Sequence, residues 1–142
     1  MKRLLAISCL IVLIIAVSVS GCTDLLATKK TSTPEATLKS YIFAYNRGDG
    51  DTIYDLLSSQ AQSMTSRNAI KNDLESMSEF KVKYDSYDII SKDVSGNEAT
   101  LDVVISASFE GQHLTTGVAK MVFVKEGNEW KLADIADRTG WL

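Results

Sequence analysis

Cysteine, proline and histidine are scarce in this chain, and each scarcity closes off a class of chemistry. The 142 residues hold two cysteines, Cys9 and Cys22, one proline and one histidine. Cys9 lies within an apolar N-terminal run, so a single thiol remains for the rest of the chain and no disulfide framework can staple it. His113 has no second His or nearby Cys to share a zinc ion, and zinc sites usually draw several ligands from those two types. No metal or cofactor site is therefore expected. Basic charge is scattered: 15 Lys and Arg stand against 18 Asp and Glu. Past the first few residues Lys29-Lys30 is the only adjacent basic pair, which is no footprint for nucleic acid. Gly-rich phosphate loops, nucleophile elbows and zinc motifs are missing. Asp49 and Asp51 flank Gly50, but the glutamate that closes a calcium loop is not there, and helix capping accounts for them better.

The one long apolar run, residues 4–19, follows Lys2 and Arg3 and ends in small residues. A basic start, a hydrophobic middle and small residues at a cleavage point make a secretory signal. The run falls short of the roughly 20 residues that span a hydrocarbon core. Val19-Ser20-Gly21-Cys22 closely resembles the lipobox of prokaryotic lipoproteins. That resemblance implies cleavage before Cys22 and diacylglycerol on its thiol, which accounts for the lone cysteine without intermolecular pairing. Residues 1–21 are then a signal peptide, 22–33 the lipidated cysteine with a Thr- and Lys-rich linker, and 34–142 one domain facing outside the cytoplasm. Lys2 and Arg3 are the only charged residues removed with the signal, so the net charge of −3 becomes more negative.

Within 34–142 the apolar period is first helical and then strand-like. Thr33, Pro34 and Glu35 are an N-cap, a first helical residue and a first-turn acid. Leu38, Tyr41, Ile42 and Tyr45 recur at helical spacing, and Gly48 ends that helix. A second short helix carries Ile53, Leu56 and Leu57. After a polar stretch at 58–65, Ser66 caps a third with Ala69, Ile70, Leu74 and Met77 on one face. From Phe80 the period becomes two, through Val82 and Tyr84, and resumes at Tyr87 and Ile89 as if a bulge lay at Asp85-Ser86. Ser95-Gly96-Asn97 turns into a strand with Ala99, Leu101, Val103, Ile105, Ala107 and Phe109 on one face and Thr100, Asp102, Ser106 and Ser108 on the other. Gly111-Gln112 turns into a strand over 114–125 that Gly117 interrupts. Glu126-Gly127-Asn128 leads to the last strand, with Trp130, Leu132 and Ile135. Three helices packed on a four-stranded antiparallel sheet make an α+β domain.

This order resembles the NTF2-like superfamily, which shares the cystatin-like fold. The resemblance rests on Thr33-Pro34-Glu35, Asn46-Arg47-Gly48-Asp49 and the Glu126-Gly127-Asn128-Glu129-Trp130-Lys131-Leu132 hairpin. It implies a cone whose interior takes a ligand, with Tyr41, Tyr45, Tyr54, His113 and Trp130 as candidate lining residues. Enzymes of the superfamily, ketosteroid isomerase-like or dehydratase-like, place acids or a His-Asp pair in that pocket, whereas no acid and base converge in this sequence. The expected function is thus a lipid-anchored binding module, without catalysis, for a small molecule, peptide or protein partner. A pocket enzyme using His113 and a structural envelope component that dimerises through the polar sheet face are the alternatives. Since Cys22 supplies the only thiol at the cleavage point, Cys22→Ala is expected to leave the chain unlipidated with its leader attached. Palmitate labelling with gel mobility checks this: a labelled, faster band for the natural chain and an unlabelled, slower one for the variant.

Overall fold

A computed structural model describes residues 31–113 and 117–139, with side-chain surroundings as far as Ile135. The signal run, Cys22, the linker to residue 30, the expected strand start at 114–116 and Trp141 lie outside the described residues.

Local capping sets the helix boundaries. Thr33 Oγ1 accepts from the Ala36 N–H at 3.1 Å to start α1 (Pro34–Asn46). At its other end Gly48 takes a φ of +66°. The Gly48 N–H donates to Tyr45 O at 3.0 Å and the Asp49 N–H to Ala44 O at 2.9 Å, the paired bonds of a Schellman turn. Asp49 then caps α2 (Gly50–Leu56), accepting from the Thr52 N–H at 3.0 Å. The polar stretch expected to be irregular holds a further helix, α3 (Ser59–Ser63), with Ser58 as its cap. No apolar stripe announces α3. The Glu126 carboxylate holds its first residue, accepting from Ser59 N–H and Oγ–H at 2.8 and 2.9 Å, so a distant hairpin satisfies what periodicity does not. Ser66 caps α4 (Arg67–Glu79). The described residues therefore contain four helices where three were expected.

α4 also runs further than its pattern predicts. Phe80 is its C-cap rather than the first residue of a strand, and it is 54% exposed. The Val82 N–H donates to Met77 O at 3.2 Å and the Lys81 N–H to Ser78 O at 2.9 Å, the same turn that closes α1. Here, however, the left-handed position (φ +51°) belongs to Lys81 instead of a glycine.

Five strands follow: β1 (Lys83–Ser95), β2 (Glu98–Phe109), β3 (Gln112–His113), β4 (Gly117–Glu126) and β5 (Glu129–Thr139). The order across the antiparallel sheet is β1-β2-β4-β5, and the two-residue β3 pairs with the end of β2. The turn before β3 sits at Glu110-Gly111, both with positive φ, one residue earlier than the expected Gly111-Gln112. Register across β2 and β4 places Val103 opposite Ala119 and Leu101 opposite Met121, with Gly117 opening β4 against Ile105.

The two inner strands pair regularly with each other, whereas the outer ones carry bulges. In β1 the register shifts at Tyr84/Ser86, as the pattern suggested, and again at Ile89/Ser91. In β5 it shifts twice against β4, and the extra residue Ala133 explains why Trp130, Leu132 and Ile135 share a face despite uneven spacing. Bulged edge strands increase twist and curl a sheet, and they blunt its edges against further pairing. Both edges are also covered locally. Asn46 donates to Tyr84 O at 2.8 Å and accepts from the Tyr84 N–H at 2.9 Å on β1. On β5, the Ser58 N–H donates to Leu132 O at 2.8 Å and the Trp130 N–H to Thr31 O at 2.7 Å. Thr31 is buried, so the domain takes in the last residues of the segment expected to be linker.

The core lies on the concave face, where Leu38 and Ile42 of α1 meet Leu101, Val103, Met121, Phe123 and Leu132. A smaller cluster joins Ala44, Ile53 and Leu74 of α1, α2 and α4. Thr37 is fully buried, its hydroxyl donating to Trp130 O at 2.8 Å. Thr37→Val removes that donor at nearly constant volume and is expected to lower stability by about 1–2 kcal/mol. Lys81→Gly relieves the left-handed backbone and should raise it by roughly 0.5–1 kcal/mol. Urea unfolding followed by tryptophan fluorescence measures both.

Candidate functional site

The concave sheet face is longer than α1 can cover, and α4 stands across the remainder. Two adjoining cavities of about 290 and 320 Å³ lie beneath it. Both are bordered by Tyr41, Tyr45, Asp73, Leu74 and Ile135. Ile105, Ala119 and Met121 of the sheet floor the first, which Met77 of α4 also borders. Ile53, Leu57, Ile70 and Leu132 border the second. The interior is thus apolar over most of its surface, and its polar side chains are tyrosines, carboxylates and Thr65.

Tyrosine is suited to such a boundary because it offers a broad apolar ring with a polar tip. Tyr45 stacks on Tyr84 with ring centroids 4.2 Å apart and planes inclined by 25°, and Tyr41 lies 6.4 Å from Tyr45. Of the residues the sequence proposed for a pocket, Tyr41 and Tyr45 border the cavities. The other three do not. Tyr54 lies under the Arg67 guanidinium, 4.5 Å from its ring centroid. Trp130 is buried in the core. His113 is on β3 with its side chain 65% exposed. Cys22 lies outside the described residues. Tyr84, Asp73 and Met77 were missed as lining residues. Tyr84 carried a signal in the period-two run and Met77 in the apolar face of the third expected helix, but Asp73 gains its place only from how α4 is held.

Asp73 borders both cavities and Asp134 the second. The Asp134 carboxylate accepts from the Ile135 N–H at 2.8 Å. No histidine reaches the interior. His113 Nδ1 lies 3.8 Å from Asp85 Oδ2, and Ser108 Oγ donates to Asp85 Oδ1 at 2.9 Å. In a nucleophilic triad the histidine must stand between hydroxyl and carboxylate to take the serine proton. Here the carboxylate occupies the middle, on the surface away from the cavities, and the set has no base for Ser108. Among the described residues no group of His, Cys, Asp and Glu gathers as a metal site.

Two carboxylates near the base of the fold titrate away from their ordinary range. Burial pushes Glu35 upward, but hydrogen bonds from Lys92, the backbone and Thr33 outweigh it, and its net position is below the usual carboxylate value. The Lys131 hydrogen bond and charge hold Glu129 below it as well.

No protein-family model matches this chain, and neither does any curated protein sequence. Solved structures do. A cystatin-like domain of unknown function from Nostoc punctiforme superposes with a TM-score of 0.56 at 18% identity, over 87% of this chain and 80% of that one. An NTF-2 like protein of unknown function from Silicibacter pomeroyi gives 0.50 at 15% identity, over 81% and 96%. A protein described as a scytalone dehydratase from Novosphingobium aromaticivorans gives 0.56 at 17% identity, over 84% and 91%. The fold is therefore α+β, helices on an antiparallel sheet, and matches structures of the NTF2-like and cystatin-like kind. At these identities the likeness speaks of fold alone.

Lys92 ties β1 to Glu35 at the start of α1. Because the folded-state pKa of Glu35 is depressed, that pair stabilises the fold above the unfolded carboxylate value of ~4.3, and its contribution fades as pH falls through the folded value. Lys92→Met is accordingly expected to reduce the loss of stability on acidification. Urea midpoints at neutral pH and near pH 3 compare the two chains.

Proposed function

We propose that this protein is a lipid-anchored, extracytoplasmic binding module that holds a small, mainly apolar molecule inside the cone. The observation that carries this reading is the cavity pair beneath α4, floored by sheet residues and rimmed by Tyr41 and Tyr45. Its size suits a small ligand, since ligand pockets run from about 300 Å³ upward. Binding rather than turnover is favoured because the carboxylates at the cavity edge have no histidine beside them and the one His-Asp contact lies elsewhere. The anchor would be Cys22, leaving a tether of a few residues before Thr31 docks on the sheet.

A second reading has an observation of its own. Val104, Val118, Val122 and Val124 occupy the outer sheet face, with Asp102 and Lys120 paired between Val118 and Val122, which would suit self-association. Sedimentation of the detergent-solubilised chain distinguishes it, by giving a dimer in place of a monomer.

The test of the first reading is native mass spectrometry of the full chain, expressed with its leader in a bacterial host and released into detergent. A defined mass lost on denaturation is expected. Ala119 is buried and floors the smaller cavity, so Ala119→Leu should fill that space and abolish the added mass while the domain stays folded. A natural chain that carries no added mass from any host would count against a ligand-holding cone.

A further inference from the structure

The cone interior is not closed at the α1 C-terminal end. A groove of about 780 Å³ lies there, where α1, α4, β1 and the β2–β3 turn meet. It shares Tyr45, Leu74, Met77 and Val82 with the smaller cavity. The partition between them is thus partly made of side chains, and Met77, 46% exposed, is the most adaptable of these because an unbranched thioether repacks at little cost.

The two sides of this partition differ in charge. On the cavity side the surfaces are mainly apolar, with Asp73 the one charged residue at the border, whereas four cations, Arg47, Lys71, Lys81 and Lys83, line the groove against two carboxylates, Glu75 and Glu110. This is a concentration of positive charge on a chain whose net charge is −3. Lys71 pairs with Asp51 at 2.8 Å and Arg47 rests over the Phe43 ring at 5.1 Å. Among the described residues neither Lys81 nor Lys83 has a carboxylate within ion-pair distance. Lys81 is moreover the residue that holds a left-handed φ of +51° at a helix end where glycine would be free of strain. Keeping a lysine there costs stability, and strain of this kind collects at functional sites.

We propose that the ligand of the cone is an amphiphile with an acidic head, its apolar body lying in the cavity past Met77 and its carboxylate, sulfonate or phosphate lying between Lys81 and Lys83. The proposal rests on the cone being a ligand pocket and adds the chemical class of what it takes. Two unpaired ammonium groups satisfy an anionic head through charge-assisted hydrogen bonds, and an uncharged analogue would leave them as they are in the empty protein. The groove lies at the far end of α1 from Thr31, the side on which a Cys22 anchor would attach.

Lauric acid and methyl laurate share an apolar body and differ in the charge of the head, so titrating each into the full chain in detergent under native mass spectrometry isolates the inference. The acid is expected to bind about tenfold more tightly than the ester. Lys81→Gly and Lys83→Gln should each remove most of that preference while leaving ester binding unchanged. Lys81→Gly is informative because it is expected to be more stable than the natural chain, so lost binding could not be ascribed to unfolding. Equal binding of acid and ester, or an acid preference that both variants retain, would overturn the acidic-head assignment and leave the pocket reading standing. Binding of neither molecule to the natural chain would overturn both readings.

Discussion

The position of α4 governs the two cavities beneath it and the groove at their end, and a close approach at Gly50 sets that position. A Cβ at residue 50 would come within 2.8 Å of Lys71 Cγ and 3.2 Å of Lys71 Cα. Without it, α2 and α4 touch backbone to side chain at their crossing. Arg67 and Lys71 add ion pairs to Asp51 and Asp55 on the solvent side of the same contact. These exposed pairs contribute little individually, but they fix which way α4 points. Leu74 is then the only side chain of α4 that becomes fully buried, in the cluster with Ala44 and Ile53. A helix held chiefly by its neighbouring helix need not descend onto the sheet, and the space beneath it is the candidate site.

The sheet reaches the same result from the other side. With bulges in both outer strands, β1 and β5 are longer than the paths they pair with, and the sheet curls around α1 instead of lying flat under it. Contacts with Asn46, Ser58 and Thr31 then occupy parts of the two edges. Curl, edge cover and a helix that stands off are mutually consistent, since each keeps the concave face partly uncovered without exposing a long strand to aggregation.

Charge is distributed along the same axis. The N-terminal end of α1 carries the Glu35–Lys92 pair and the docked Thr31, whereas the C-terminal end carries the cations of the groove. α1 has 13 residues, so the two ends lie about 20 Å apart at 1.5 Å per residue.

The sequence by itself determined whatever depends on neighbours along the chain. Thr33, Asp49 and Ser66 cap helices as their side chains predict, the Leu38–Ile42 stripe faces the core, and the alternation from Ala99 to Ala107 orders β2, because a cap or a period is satisfied within one or two turns of backbone. The first bulge of β1 was legible for the same reason. Tertiary structure alone decided the rest. α3 exists through Glu126, far along the chain, and Tyr54 and Trp130, which read as pocket aromatics, were drawn to Arg67 and to the core. Asp73 came to border the cavities, and Met77, Lys81 and Lys83 the groove, only once α4 was braced on α2. A cavity is a place where packing stops, and no local pattern of residues encodes where distant elements fail to meet.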